Sequence, residues 1–118
     1  IEKRTILVFR DNEKTAVRKR PDTGLLAGLY EFPGTEGHLK QSEAVRYAKS
    51  LGLMPIRIKK LGSAKHIFSH VEWHMIGYEI TVDELEQNME QNTVLFADIR
   101  ELKEHYPMPS AFDAYRPV

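Results

Sequence analysis

The sequence predicts an α+β sandwich on a mixed or antiparallel β-sheet, flanked by about two helices. Three observations predict it. Apolar, β-branched runs of strand length recur along the chain, helical periodicity is confined to two stretches, and the order is strands, helix, strands, helix. At 118 residues the chain is expected to be one domain, 1–118, able to bury a real core.

Each element has its own signal. "RTILVFRD" (Arg4 to Asp11) reads as a strand, Asn12 and Glu13 as a turn, and "KTAVRKR" (Lys14 to Arg20) as the returning strand. The glycines and proline of "GLLAGLYEFPG" (Gly24 to Gly34) argue against a long helix and leave a loop leading into a short strand around Leu29 to Phe32. From Gln41 to Leu51 the apolar residues Ala44, Val45, Ala48 and Leu51 recur at helical spacing, with Ser42 as the expected N-cap and Gly52 as the stop. Ile56 to Gly62 and Val71 to Val82 alternate as strands, and Thr93 to Asp98 is a shorter one. Asp98 with Glu101 forms a capping box for a helix through "IRELKEHY", which "PMPSAF" ends, and a short helical turn follows.

Composition bounds the function. No apolar run approaches the roughly 18 residues of a membrane span, and Ile1 to Arg4 leads into a strand rather than a secretion signal. There is no cysteine, which excludes disulfides, thiolate metal sites and cysteine nucleophiles, and fits a cytoplasmic protein. Seventeen basic and seventeen acidic residues cancel. A local patch can still attract phosphate. "RIKKLGSAKH" carries Arg57, Lys59, Lys60 and Lys65 without an acid, whereas acids gather in Asp83 to Gln91. Either run also reads as an ordinary solvated face.

The densest chemistry is "HIFSHVEWH", His66 to His74. His66, His70 and His74 recur every four residues, but in a strand such residues lie about 13 Å apart, too far to share one ion. A turn within the segment would alter that spacing. Ser69 and His70 are adjacent, so in a strand they point to opposite faces and make no nucleophile–base pair. No metal site and no catalytic residue is expected. Trp73, Leu29, Tyr30 and Phe32 read as core, and Arg20 and Thr23 have no role beyond shaping the glycine-rich loop.

"GLYEFPGTEGHLKQSEAVRYAKSLGL" (Gly28 to Leu53) resembles the loop and helix of the Nudix fold, in which an aromatic-x-Phe-Pro-Gly turn precedes a helix ending in Gly-Leu. Active members carry magnesium-binding glutamates on that helix. Aligned on Gly52, this chain has Arg46, Lys49 and Ser50 instead, and its Gly34-to-Gly52 spacing is shorter than the family's. Two cations and a hydroxyl cannot gather magnesium.

"RPDTGLLAGLYEFPG" (Arg20 to Gly34), "HIFSHVEWHM" (His66 to Met75) and "YPMPSAF" (Tyr106 to Phe112), in that order, closely resemble the Nudix-like C-terminal domain of the MutY-type adenine DNA glycosylases. The resemblance covers essentially the whole chain. It implies a non-hydrolytic domain that recognises 8-oxoguanine opposite a misplaced adenine in double-stranded DNA, while a separate N-terminal domain with an iron–sulfur cluster removes the adenine. It also implies that Phe68, Ser69 and His70 form the loop that approaches the damaged base, with Ser69 in contact.

Lys65, then Lys60 and Lys59, are the expected phosphate contacts. No cofactor is expected within this chain. The expected partners are lesion-bearing duplex and the chain's own catalytic domain, with no membrane, in a monomer of the bacterial cytoplasm associated with the nucleoid. An active nucleotide pyrophosphohydrolase and a protein-interaction module on the same scaffold are the alternatives.

Overall fold

The structure is a computed structural model that describes residues 1–83 and 94–116. The strands are β1 (Glu2–Asp11), β2 (Lys14–Lys19), β3 (Tyr30–Glu31), β4 (Gly34–Glu36), β5 (Met54–Ile67), β6 (Glu72–Asp83) and β7 (Leu95–Ala97). Helix α1 spans Gln41–Ser50, α2 spans Ile99–His105, and a 3-10 helix covers Ser110–Tyr115. The strand order is β3-β2-β1-β6-β5, with β4 also on β1 and β7 on β2. β1 runs parallel to β6, from Glu2 opposite Trp73 to Arg10 opposite Thr81. The other pairings are antiparallel, so the expected mixed sheet and α+β class hold.

β1 is central and covered on both faces, which is why Ile6, Leu7, Val8 and Phe9 form an unbroken apolar run. Ile6 and Val8 pack with Trp73, Met75, Phe32, Leu102, Phe112 and Tyr115, under α2 and the 3-10 helix. Leu7 and Phe9 pack with Ala44, Ala48, Tyr78 and Ile80, under α1.

The N-cap of α1 is Lys40, not Ser42, which sits inside the first turn. The Glu43 carboxylate accepts the Lys40 N–H at 2.8 Å and so satisfies the helix start from within. The stop is as expected. Gly52, at φ +82°, donates to Lys49 O at 3.0 Å and Leu53 donates to Ala48 O at 3.2 Å, the paired bonds of a Schellman motif. The Asp98–Glu101 capping box also forms, its two bonds measuring 2.8 and 3.2 Å.

Besides shifts of one or two residues at the ends of β1, β2 and β6, three strands differ in extent from expectation. β5 extends from Met54 to Ile67 rather than Ile56 to Gly62, because its register slips between Pro55 and Arg57 and again between Leu61 and Ala64. Each slip hides the two-residue period while β6 continues to pair across it. The short strand expected at Leu29 to Phe32 shrinks to Tyr30–Glu31, and the strand expected over Thr93 to Asp98 is shorter, Leu95–Ala97, with Val94 and Asp98 outside it. Thr93 and most of the acidic run lie outside the described residues.

Candidate nucleic-acid interface

Topology gathers the candidate chemistry at one end of the sheet. β1 starts there, its antiparallel neighbours β2 and β4 end there, and its parallel neighbour β6 starts there. That end therefore carries Lys3, Arg4, Arg20, the loop after Arg20, Gly37 with His38, and the β5–β6 hairpin. Gly37 N donates to Lys3 O at 2.7 Å, and His38 Nε2 donates to His74 O at 2.9 Å, tying the β4–α1 loop to β1 and β6.

The hairpin tip is the "FSH" sequence. Phe68 N donates to Val71 O at 2.7 Å, which leaves Ser69 and His70 as a two-residue turn, both exposed. Phe68 is half-buried and packs edge-on against Trp73, centroids 5.0 Å apart at 70°. On its other contact the His66 ring lies 4.7 Å away at 61°.

The turn also redistributes the histidines. His66 pairs with Trp73 and Lys65 with His74, so His66 and His74 fall on opposite faces instead of the shared face that unbroken four-residue spacing suggests. Among the described residues no three His, Asp or Glu side chains cluster as metal ligands. His74 instead bonds the Glu72 carboxylate through Nε2. That bond, aided by the charges of His74 and Lys65, holds the Glu72 carboxyl below its ordinary range.

The three lysines do not form one cluster. Lys65 lies opposite His74 beside the turn, whereas Lys59 and Lys60 lie opposite Glu79 and Tyr78, beyond the Leu61–Ala64 register shift. Lys60 is about 20 Å up the strand from His66. Paired residues share a face, so Lys60 and Lys65 lie on the α1 face and Lys59 on the other.

Behind the turn sits a cationic cluster that the sequence reading missed. Trp73 is fully buried, and its Nε1 donates to Glu2 Oε2 at 2.9 Å. The guanidinium carbons of Arg4 and Arg20 lie 4.4 and 5.5 Å from its ring centroid, contacts worth about 0.5–2 kcal/mol each. Buried Glu31 bridges Arg18 at 2.9 Å and Arg20 at 2.6 Å. Burial disfavours the Arg18 charge, but Glu31 and the Tyr47 hydroxyl outweigh it and raise the guanidinium above its usual range. The available signal was Glu31 itself: a carboxylate inside "LYEFP" can be buried only if paired. Trp73 and Phe32 are core, as expected.

Arg46, Tyr47 and Ser50 line an open groove of about 330 Å³ between α1 and β4, with Thr35, Leu39 and Glu43. Glu43 is the carboxylate among them, and it is engaged at the helix start. This donor set does not fit magnesium, which takes hard oxygen ligands.

A model of the NUDIX domain matches residues 4–116. The chain belongs to the Nudix family. Within it, this Nudix domain is 38% identical to mouse (Mus musculus) adenine DNA glycosylase over 72 residues, covering 56% of the chain and 14% of that protein's length. Its fold matches the C-terminal domain of mouse MUTYH, solved in complex with human PCNA, at a TM-score of 0.73 and 21% identity over 98% of this chain and 86% of that one. It also matches the MutT Nudix hydrolase of Burkholderia pseudomallei at 0.67 and 16% identity, over 96% and 94% of the two chains. These likenesses uphold the resemblance to the MutY-type Nudix-like C-terminal domain. No helix among the described residues is long and apolar enough to cross a membrane.

Proposed function

We propose that this Nudix domain is the lesion-reading module of a longer adenine DNA glycosylase, and that it binds duplex DNA carrying 8-oxoguanine opposite adenine. The observation that carries this reading is the turn: Ser69 and His70 stand exposed at the sheet end while Phe68 anchors them on Trp73. The relative that shares 38% identity bears the name of that enzyme.

The chemistry follows from one altered edge. Guanine N7 accepts a hydrogen bond, whereas in the oxidised base N7 carries a hydrogen and donates. A hydroxyl can rotate to suit either edge, but a backbone carbonyl only accepts. The turn carbonyls therefore favour the oxidised base, by about 1–3 kcal/mol for a well-made base-edge contact, while Ser69 Oγ contacts the base and holds that edge against them. Lys65 neutralises a neighbouring phosphate. Lys60 and Lys59 reach only phosphates further along the duplex, and His70 donates to a phosphate or to the turn backbone.

The domain performs no hydrolysis itself, because Arg46, Lys49 and Ser50 occupy the positions of the magnesium ligands. Adenine excision belongs to a separate catalytic domain that flips the base from the stack. An iron–sulfur cluster would reside there too, since this chain has no cysteine to ligate one. The protein works as a monomer in the bacterial cytoplasm, at the nucleoid.

The test is a binding titration of the glycosylase with duplexes carrying 8-oxoguanine or guanine opposite adenine, repeated with Ser69→Ala and His70→Ala. Tighter binding to the lesion, weakened by either substitution, is expected. Equal affinity for both duplexes, untouched by the substitutions, sinks the proposal. Magnesium-dependent turnover of a nucleoside triphosphate would instead favour a hydrolase. One observation favours a protein-binding module as second reading: the similar mouse domain was solved on a protein partner.

A further inference from the structure

The exposed tip of the hairpin cannot fix its own position, since neither Ser69 nor His70 is buried. Its position is set at the base, by the bond from Phe68 N to Val71 O and by the Phe68 ring against Trp73. What holds the Trp73 plane therefore holds the tip. Phe112 packs against the indole at 5.9 Å, Glu2 takes its N–H, and Arg4 and Arg20 lie against its ring.

The two arginines are not equivalent. Arg4 Nε is buried without a hydrogen-bond partner, so its contact is not fixed by a directed bond at that atom. Arg20 is fastened on several sides. Its Nη1 donates to Glu31 Oε1 at 2.6 Å and its Nε to Leu25 O at 3.2 Å, while its backbone N–H donates to Leu29 O at 2.8 Å. Only 10% of its side chain is exposed. The loop from Pro21 to Leu29 closes around it through bonds from Gly28 N to Pro21 O and from Leu29 N to Leu26 O, at 3.0 and 3.3 Å. Leu26 adopts φ +56°, a left-handed conformation that costs a bulky residue energy. A buried, doubly bonded guanidinium beside an indole is a rigid stop.

We infer that Arg20, clamped by Glu31 and the Pro21–Leu29 loop, is a positioning residue that fixes Trp73 and, through Phe68, the presentation of Ser69 and His70. The inference rests on the base-reading role proposed for that turn. It gives a purpose to the residue that composition and spacing left without one. It also explains why the site needs an arginine: lysine keeps the charge but has neither the planar fork nor the stacking surface.

The test compares wild type, Arg20→Lys and, as a control, Arg100→Lys on the solvent side of α2, where the side chain is 84% exposed, by amide nitrogen relaxation of Phe68 to Val71 and by affinity for lesion and guanine duplexes. Arg20→Lys is expected to keep cooperative unfolding yet loosen the turn amides. Its lesion preference should fall roughly 3- to 10-fold, the scale of coupling through packed neighbours, with guanine-duplex affinity little changed and the control like wild type.

Should Arg20→Lys not fold, Glu31→Gln removes the charge and one of the two acceptors that clamp Arg20 and Arg18, without touching Trp73 or the turn, and takes the same readouts. A folded variant with unchanged turn amides and unchanged preference overturns the inference, as does an equal loss on both duplexes. A wild type without lesion preference, whose turn nevertheless loosens in Arg20→Lys, would defeat the base-reading proposal and leave the positioning role standing.

Discussion

Tyr115 Oη donates to the Gly62 carbonyl at 2.9 Å, and the same ring covers Gly77 so closely that a Cβ there would lie 2.5 Å from Tyr115 Cε1. The terminal 3-10 helix thereby pins β5 where its register shifts, on the strand that leads into the candidate recognition turn.

Gly77→Ala should cost about 1–3 kcal/mol, the usual penalty for overfilling a packed interior. Tyr115→Phe should cost about 1 kcal/mol for the lost hydrogen bond. Because the two residues touch, the double mutant should depart from additivity. Chemical denaturation of the four proteins measures all three quantities.

Tyr115 also predicts an alkaline limit. Burial pushes its hydroxyl up to about 12 from an ordinary 10. The folded state then holds the proton more tightly than the unfolded chain, so this contribution is intact below pH 10 and is lost as pH rises towards 12. Stability measured across that window should fall with a slope that Tyr115→Phe removes.

These long-range contacts were the least legible part of the chain. β1 and β2 could be read because their buried runs are unbroken, β6 because its two-residue period changes phase only once, at Gly77 and Tyr78, and Asp98 and Gly52 because caps are local chemistry. The full extent of β5 could not, since two register shifts cancel its period and only pairing with β6 reveals it. The candidate recognition turn was legible only through family resemblance: nothing in "FSH" itself separates an anchor and a tip from a strand. The Arg20–Glu31–Trp73 cluster joins residues distant in sequence, so spacing carries no trace of it. Lys59, Lys60 and Lys65 looked contiguous, yet the shift at Gly62–Ser63 puts the first two far from the turn.

Glu31→Ala should be among the most destabilising single substitutions. It leaves Arg20, with 10% of its side chain exposed, and the partly exposed Arg18 without their shared carboxylate. Uncompensated buried charge costs about 3–5 kcal/mol. The lower end applies because Arg18 reaches solvent and keeps its bonds to Tyr47 and Gly34. Glu31→Gln, which can still accept one bond, should cost less. Urea midpoints with an unchanged m-value would establish both.

Glu72 predicts an acid-side effect at the hairpin. Its carboxyl is held below 4.5 first by the His74 bond, against some desolvation, with help from the charges of His74 and Lys65. A depressed carboxyl contributes stability above its unfolded value and loses it as pH falls through the folded one. Carboxyl carbon NMR should therefore show the Glu72 midpoint rising in His74→Ala, and rising less in Lys65→Ala.

Lys65 and Lys59 should differ in their service to DNA. Each phosphate neutralised adds roughly 0.9 to the slope of log affinity against log salt. Lys65 borders the turn, so Lys65→Ala should lower that slope by about one and weaken lesion and guanine duplexes alike, because phosphate carries no base identity. Lys59 lies beyond the register shift and on the opposite face, so Lys59→Ala should change the slope by less. Salt titrations of both variants on one duplex separate the two. A larger effect at Lys59 would mean that the duplex runs along β5 rather than across the hairpin end.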